Sequence, residues 1–177
     1  MLMIAATAVL ASCSRQEANI YRGYYSFKTG GYLEIEGKVY DIEVDPESGI
    51  ADTLGSRDTV FTRNLSHESG QMHILSAGEN NVKVTMNLTA GNPIVFDAQA
   101  FKENLTLQPT IRPVTIIPDA EQGEQDMLSL LMTVSGVGRK YENMVIFDLE
   151  YSGNYDFTGV SGKVRSSHVN CIATKNE

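Results

Sequence analysis

Polar and apolar residues alternate along most of this chain. Val82-Lys83-Val84-Thr85-Met86-Asn87-Leu88 is the cleanest case, with Val82, Val84, Met86 and Leu88 on one face. Alternation with one wet face predicts half-buried antiparallel strands. Gln71 to Leu75 precedes this segment and Ile94 to Ala98 follows it. The turn residues Gly78-Glu79-Asn80-Asn81 and Ala90-Gly91-Asn92-Pro93 separate the three, which predicts a meander. Nearer the start, Tyr24 to Phe27, Tyr32 to Glu36 and Val39 to Val44 alternate as well. Thr29-Gly30-Gly31, Glu36-Gly37-Lys38 and Asp45 to Gly49 read as turns between and after them. Residues 46–66 lose the pattern and predict a long loop with one short strand at Thr59 to Thr62.

The second half continues in the same idiom. Leu105, Leu107 and Val114 to Ile117 supply extended segments, and Pro109, Pro113 and Pro118 disfavour helix there. Asp119 to Asp126 carries four acids and no base, which predicts a solvated loop. Met127 to Val134 is apolar at both parities and favours a buried strand, with a short helix as the alternative; turns are expected at the glycines 136–138 and 159–162. Val145 to Tyr151 and His168 to Thr174 complete the set. About eight to eleven short strands separated by turns make an all-β fold. Sequential pairing favours an antiparallel up-and-down β-barrel; a β-sandwich is the alternative.

The first residues stand outside this pattern. Met1 to Ser12 has no charge and no polar stripe, and is shorter than the ~20 residues a spanning helix needs. Its length suits the apolar region of a secretory signal. It ends in Leu10-Ala11-Ser12-Cys13, a branched apolar residue, two small ones and a cysteine. That is the bacterial lipobox, in which the cysteine thiol receives lipid. The division that follows is a signal peptide at 1–12, a lipidated Cys13 with a tether at 13–20, and one β domain at 21–177. A signal usually begins with Lys or Arg, and here Arg15 is the first basic residue. A start codon further upstream would account for this.

Charge and cysteine count narrow the partners. A net charge of −8 excludes nucleic-acid binding, which needs a basic face. It also leaves membrane attachment to the lipid on Cys13. With Cys13 lipidated, Cys171 has no partner in the chain. Val169, Cys171 and Ala173 share a strand face, so Cys171 reads as a small core residue.

Motifs for chemistry are weak. His67 lies in a polar stretch and lacks the second histidine of a helical zinc site. His73 falls on the outer face of a strand, and His168 opens the last one. Gly136-Val137-Gly138 and Gly159 to Val164 lack the residues of nucleotide-binding loops. The acids between Glu34 and Asp52 do not follow a calcium-loop spacing. No catalytic residue, metal or cofactor is expected, and the protein is read as non-enzymatic. The aromatics suggest more: if Tyr24, Tyr25, Tyr151 and Tyr155 lined one barrel mouth, they could contact a sugar or cover an apolar ligand. Asp52-Thr53-Leu54 and Asp58-Thr59-Val60 fit the Asp-Ser/Thr-apolar pattern of Bacteroidetes O-glycosylation, marking Thr53 and Thr59.

The lipobox, the opening "GYYSFKTGGYLEIEG" and the closing "VNCIATKNE" resemble small lipoproteins of Bacteroides and its relatives. That resemblance implies an outer-membrane-anchored envelope lipoprotein with a calycin-like β-barrel. Two functions are compatible with the chain as read. One is binding of a small apolar or sugar-like ligand inside the barrel. The other is a structural or protein-interaction role for a barrel filled by its own side chains, with an envelope protein as partner. An interior cavity of ~300 Å³ or more separates them.

Overall fold

The computed structural model describes residues 17–119, 127–157 and 160–177. Ten antiparallel strands follow a 3-10 turn at Glu17–Ile20. They are β1 (Gly23–Val44), β2 (Ala51–Asn64), β3 (Ser69–Ser76), β4 (Asn81–Leu88) and β5 (Ile94–Phe101). Then come β6 (Asn104–Ile116), β7 (Leu128–Tyr141), β8 (Met144–Ser152), β9 (Asn154–Phe157) and β10 (Val160–Lys175). Strands β3 to β8 pair in sequence, β8 pairs with β10, and β10 pairs with β1, which pairs with β3. Eight strands thus close a ring, an up-and-down β-barrel. A closed ring leaves no free edge along its wall.

Two strands are far longer than the barrel needs. β1 pairs with β3 over Gly23–Lys28, then with β2 over Tyr32–Val44. β10 pairs with β8 over Val169–Thr174 and with β9 over Val160–Lys163. Beyond the barrel, β2, β1, β10 and β9 therefore continue as a four-stranded arm. The corner between β2 and β3 turns off at Leu65, which bridges to Ile116 at the end of β6. The Ile117 N–H donates to Asn64 O at 2.9 Å and strengthens the joint.

Alternation explains the wall. β5 reads buried-exposed without interruption from Ile94 to Phe101, and β4 buries Val82, Val84 and Met86 as expected. The meander β3–β4–β5 stands as the pattern predicted it. The sandwich alternative does not hold, because β1 and β10 pair through fifteen positions, from Tyr25–Lys175 to Val39–Val160.

Several expected turns are strand. Thr29-Gly30-Gly31 and Glu36-Gly37-Lys38 lie inside β1. At Gly31 the backbone has φ +146°, and an added Cβ would stand 2.0 Å from His168 O. The glycine is needed for close approach of β1 to β10, not for a turn. Gly136 and Gly138 lie inside β7, and the Cβ position of Gly138 is taken by the Phe147 ring, 2.5 Å away. Residues 51–64 are not loop but β2; their pattern is lost because both faces of the distal arm are wet. The segment Met127 to Val134 is strand as expected, from Leu128 onward. Residues 17–20, placed by sequence in the tether, wind into the 3-10 turn with Ala18 buried. Cys13 lies outside the described residues.

Candidate functional site

Among the described residues the barrel centre is filled. Met72, Val84, Met86, Leu107, Phe147, Leu149 and Cys171 meet at its centre and leave ≈ 0 Å³ for a water molecule. Towards the arm, a space of ≈ 10 Å³ lies among Thr29, Leu65, Val114, Tyr151 and Val169, about enough for one water. At the opposite end the 3-10 turn closes the ring with Ala18 and Tyr21. The Tyr25 hydroxyl donates to Tyr21 O at 2.6 Å, and the Tyr21 hydroxyl is buried with no hydrogen-bond partner among the described residues.

Two buried arginines seal the arm end. Arg112, 7% exposed, projects from β6. It holds the Glu68 carboxylate with both terminal nitrogens, NH1 at 3.0 Å from Oε2 and NH2 on Oε1. Glu68 is fixed in turn. Its N–H donates to the Thr29 hydroxyl at 3.0 Å, and its carbonyl accepts the Thr29 N–H at 2.8 Å. Arg63, 2% exposed, donates from Nε to the Tyr155 hydroxyl at 3.2 Å and from NH1 to Thr62 O at 2.9 Å. Its NH1 lies 3.5 Å from Asp119, and its guanidinium sits 4.6 Å from the Phe61 ring centroid. Buried guanidinium groups need such partners, because desolvation without them is costly.

Both arginines escaped the sequence reading. The signal was parity: Phe61, Arg63 and Leu65 alternate on one face, as do Arg112, Val114 and Ile116. Treating residues 46–66 as loop hid the first.

The aromatic mouth does not form. Tyr24 is on the outer wall, stacked on His73 at 4.0 Å between ring centroids. Tyr25 is buried near the 3-10 turn, Tyr151 beside Arg112, and Tyr155 beneath Arg63. Burial pushes the Tyr151 hydroxyl far above its ordinary range. Thr53 is exposed on β2, and Thr59 is half-buried on the same strand. Both sit in extended backbone rather than in the expected loop. His67 is exposed with Nδ1 3.0 Å from Thr29 O, and His168 stacks on Tyr32 at 4.7 Å. Among the described residues, no three His, Cys, Asp or Glu side chains gather where a metal ion could sit.

Cys171 is buried and free, and burial pushes its thiol up to about 12. Iodoacetamide at pH 8 is expected to leave Cys171 unmodified in the native chain and to alkylate it in denaturant. Intact mass before and after unfolding reads this. Burial also raises Tyr25, and raises Tyr21 to about 12 with help from Glu103 and Glu17. Unfolded, these groups ionise near 10.0 for tyrosine and 9.0 for cysteine. Above those values the unfolded state binds fewer protons, so stability is whole below about pH 9 and falls as pH rises towards 12. Thermal midpoints measured from pH 7 to 12 are expected to trace that decline.

A large concavity lies outside the barrel. On the arm, Glu36, Lys38, Asp58, Asn154, Ser161 and Lys163 surround a groove of ≈ 530 Å³ whose floor includes Gly37 and Gly162. Lys38 Nζ lies 3.8 Å from Asp58 Oδ1, both largely in water.

The fold and these features define the molecule as a closed, filled antiparallel β-barrel with a projecting arm. No protein-family model matches the chain. No curated protein matches it. Among solved structures, a redesigned β-barrel, b11L5F_LGL, is similar at 12% identity and a TM-score of 0.39, over 92% of this chain and 96% of that one. EF1p2_mFAP2b, solved bound to DFHBI, is similar at 11% identity and 0.41, over 91% and 98%.

Proposed function

We propose that this chain is a lipid-anchored, non-enzymatic protein of the bacterial outer membrane, of the Bacteroidetes type, that serves as an interaction or structural module. The observation that carries the reading is the solid interior: Phe147 and its neighbours occupy the space a carried ligand would need. The arm is the part free to meet a partner protein, with Ile50, Leu54 and Val60 each more than half exposed. Lipidation at Cys13 rests on the Leu10-Ala11-Ser12-Cys13 lipobox and is tested by globomycin. An unprocessed precursor should accumulate in expressing cells, and labelled palmitate should be lost with Cys13→Ser. Native mass spectrometry of the full chain tests the interior: it should carry no stoichiometric small molecule, and one that is retained inside the barrel overturns the reading.

The arm groove favours a second reading. Lys38, Asp58, Asn154 and Ser161 on its rim offer hydrogen bonds to a sugar-like ligand, above a largely aliphatic lining. Chemical-shift changes confined to Lys38, Ser161 and Lys163 on adding oligosaccharides would support it.

A further inference from the structure

The two ends of the molecule differ in charge and in where the chain enters. At the end distal to the arm, the β5–β6 turn carries Lys102, and the end of β7 carries Arg139 and Lys140. The two lie side by side because Asn104 pairs with Arg139 and the Lys140 N–H donates to Glu103 O at 3.2 Å. Lys175 continues the arc, its N–H donating to Asn143 O at 2.7 Å. A shallow space of ≈ 320 Å³ lies among Lys102, Glu103, Asn104, Arg139, Lys140 and Tyr141. Lys140 is held below its ordinary range, first by burial and then by the like charge of Lys175. Phe101 is 63% exposed and Tyr141 47%, both on this rim. The acids nearby are Glu17, Glu103, Glu142 and, in sequence, Glu177, and Lys140 Nζ donates to Glu142 O.

The tether starts at the same place. The Glu17 carboxylate accepts the Lys102 N–H at 2.7 Å, so the chain leaves the barrel beside the cationic arc. Three residues separate Cys13 from Glu17, and the four Cα–Cα steps between them reach at most ~14 Å. Residues 36–60 of the arm, by contrast, hold seven acids against Lys38 and Arg57.

We propose that the barrel stands on its 3-10 end against the bilayer, with Lys102, Arg139, Lys140 and Lys175 meeting the phosphates of anionic lipid headgroups. Phe101 and Tyr141 enter the headgroup layer, where aromatic side chains are favoured. The acidic arm is repelled and points away from the membrane. This proposal rests on the anchoring reading. It adds a lipid-contact surface and an orientation that lipidation alone does not require.

The test uses the lipidated full chain on phosphatidylcholine vesicles, with or without about 25% phosphatidylglycerol. A donor dye is placed through Asn143→Cys on the rim or Ile50→Cys at the arm tip. Lipid occupies Cys13 and burial protects Cys171, so the new thiol takes the dye. Energy transfer to a headgroup-bound acceptor is expected to be several-fold stronger from the rim than from the tip on anionic vesicles. The ratio should fall on neutral vesicles, in ~1 M salt, and in the Lys102→Asn, Lys140→Gln, Lys175→Gln variant, while flotation with vesicles persists. Equal ratios on anionic and neutral vesicles, or no response to the triple variant, overturn the proposal alone. Failure of the unmodified chain to float overturns the anchoring reading and this one with it.

Discussion

Arg112→Ala is expected to destabilise the protein by about 3 kcal/mol, the lower end of what breaking a buried ion pair costs. The lower end applies because the Glu68 side chain keeps 22% of its surface exposed and can recruit some water. For a domain of this size that loss moves the thermal midpoint down by about 10 °C. The mechanism lies in what stays behind. Glu68 remains locked by Thr29 at the β2–β3 corner, and its carboxylate loses both guanidinium nitrogens at once. A double variant, Arg112→Met with Glu68→Gln, should recover much of the loss, because no charge is then stranded. Thermal melts of both variants, completed as a double-mutant cycle with Glu68→Gln alone, check this. A double variant no better than Arg112→Ala would mean that arginine packing, rather than charge pairing, holds the corner.

Phe147→Ala should cost about 3–5 kcal/mol, the usual penalty for removing a buried ring and leaving a void. Phe147 stands at the centre of the barrel with 1% of its surface exposed. It also covers the Cβ position of Gly138 on the neighbouring strand. Gly138 has no side chain to move into the space, so little collapse is expected. The void would be lined by Met72, Leu107 and Leu149, and apolar voids of this kind stay dry and accept small aromatic guests. Chemical denaturation measures the loss. Benzene should raise the midpoint of Phe147→Ala and leave the unmodified protein unchanged. A benzene response in the unmodified protein would contradict a filled interior.

The barrel wall was legible in the sequence because each wall strand has one dry face. Val82, Val84, Met86 and Ile94, Phe96, Ala98 announce themselves by alternation, and each is buried. The β2 half of the arm was not legible, for the same reason turned round. From Ala51 to Asp58 only Gly55 is even partly covered, so no apolar period marks β2 as a strand. Glycines misled in β1 and β7. Gly31 and Gly138 read as punctuation, yet each serves an approach that only the folded pairing creates. The aromatic mouth failed because sequence gives parity but not height along a barrel. Tyr25 and Tyr155 both face inward at opposite ends of the molecule, and Tyr24 faces out. The arginine seals follow the inward parity too, but a buried Arg is rare enough that the pattern is easily passed over.

The pairing of β1 with β10 also has a kinetic side. Tyr25 meets Lys175, 150 positions further along the chain, so the seam joins the first strand made to the last. Contacts of such separation are slow to form, since loop closure precedes any reward. Until β10 arrives, β1 presents the edge from Tyr25 to Val39, fifteen positions, without its partner. That edge is a template for wrong pairing. Lys28, Glu34, Glu36 and Lys38 are spaced along it and would oppose stacking of one nascent chain on another.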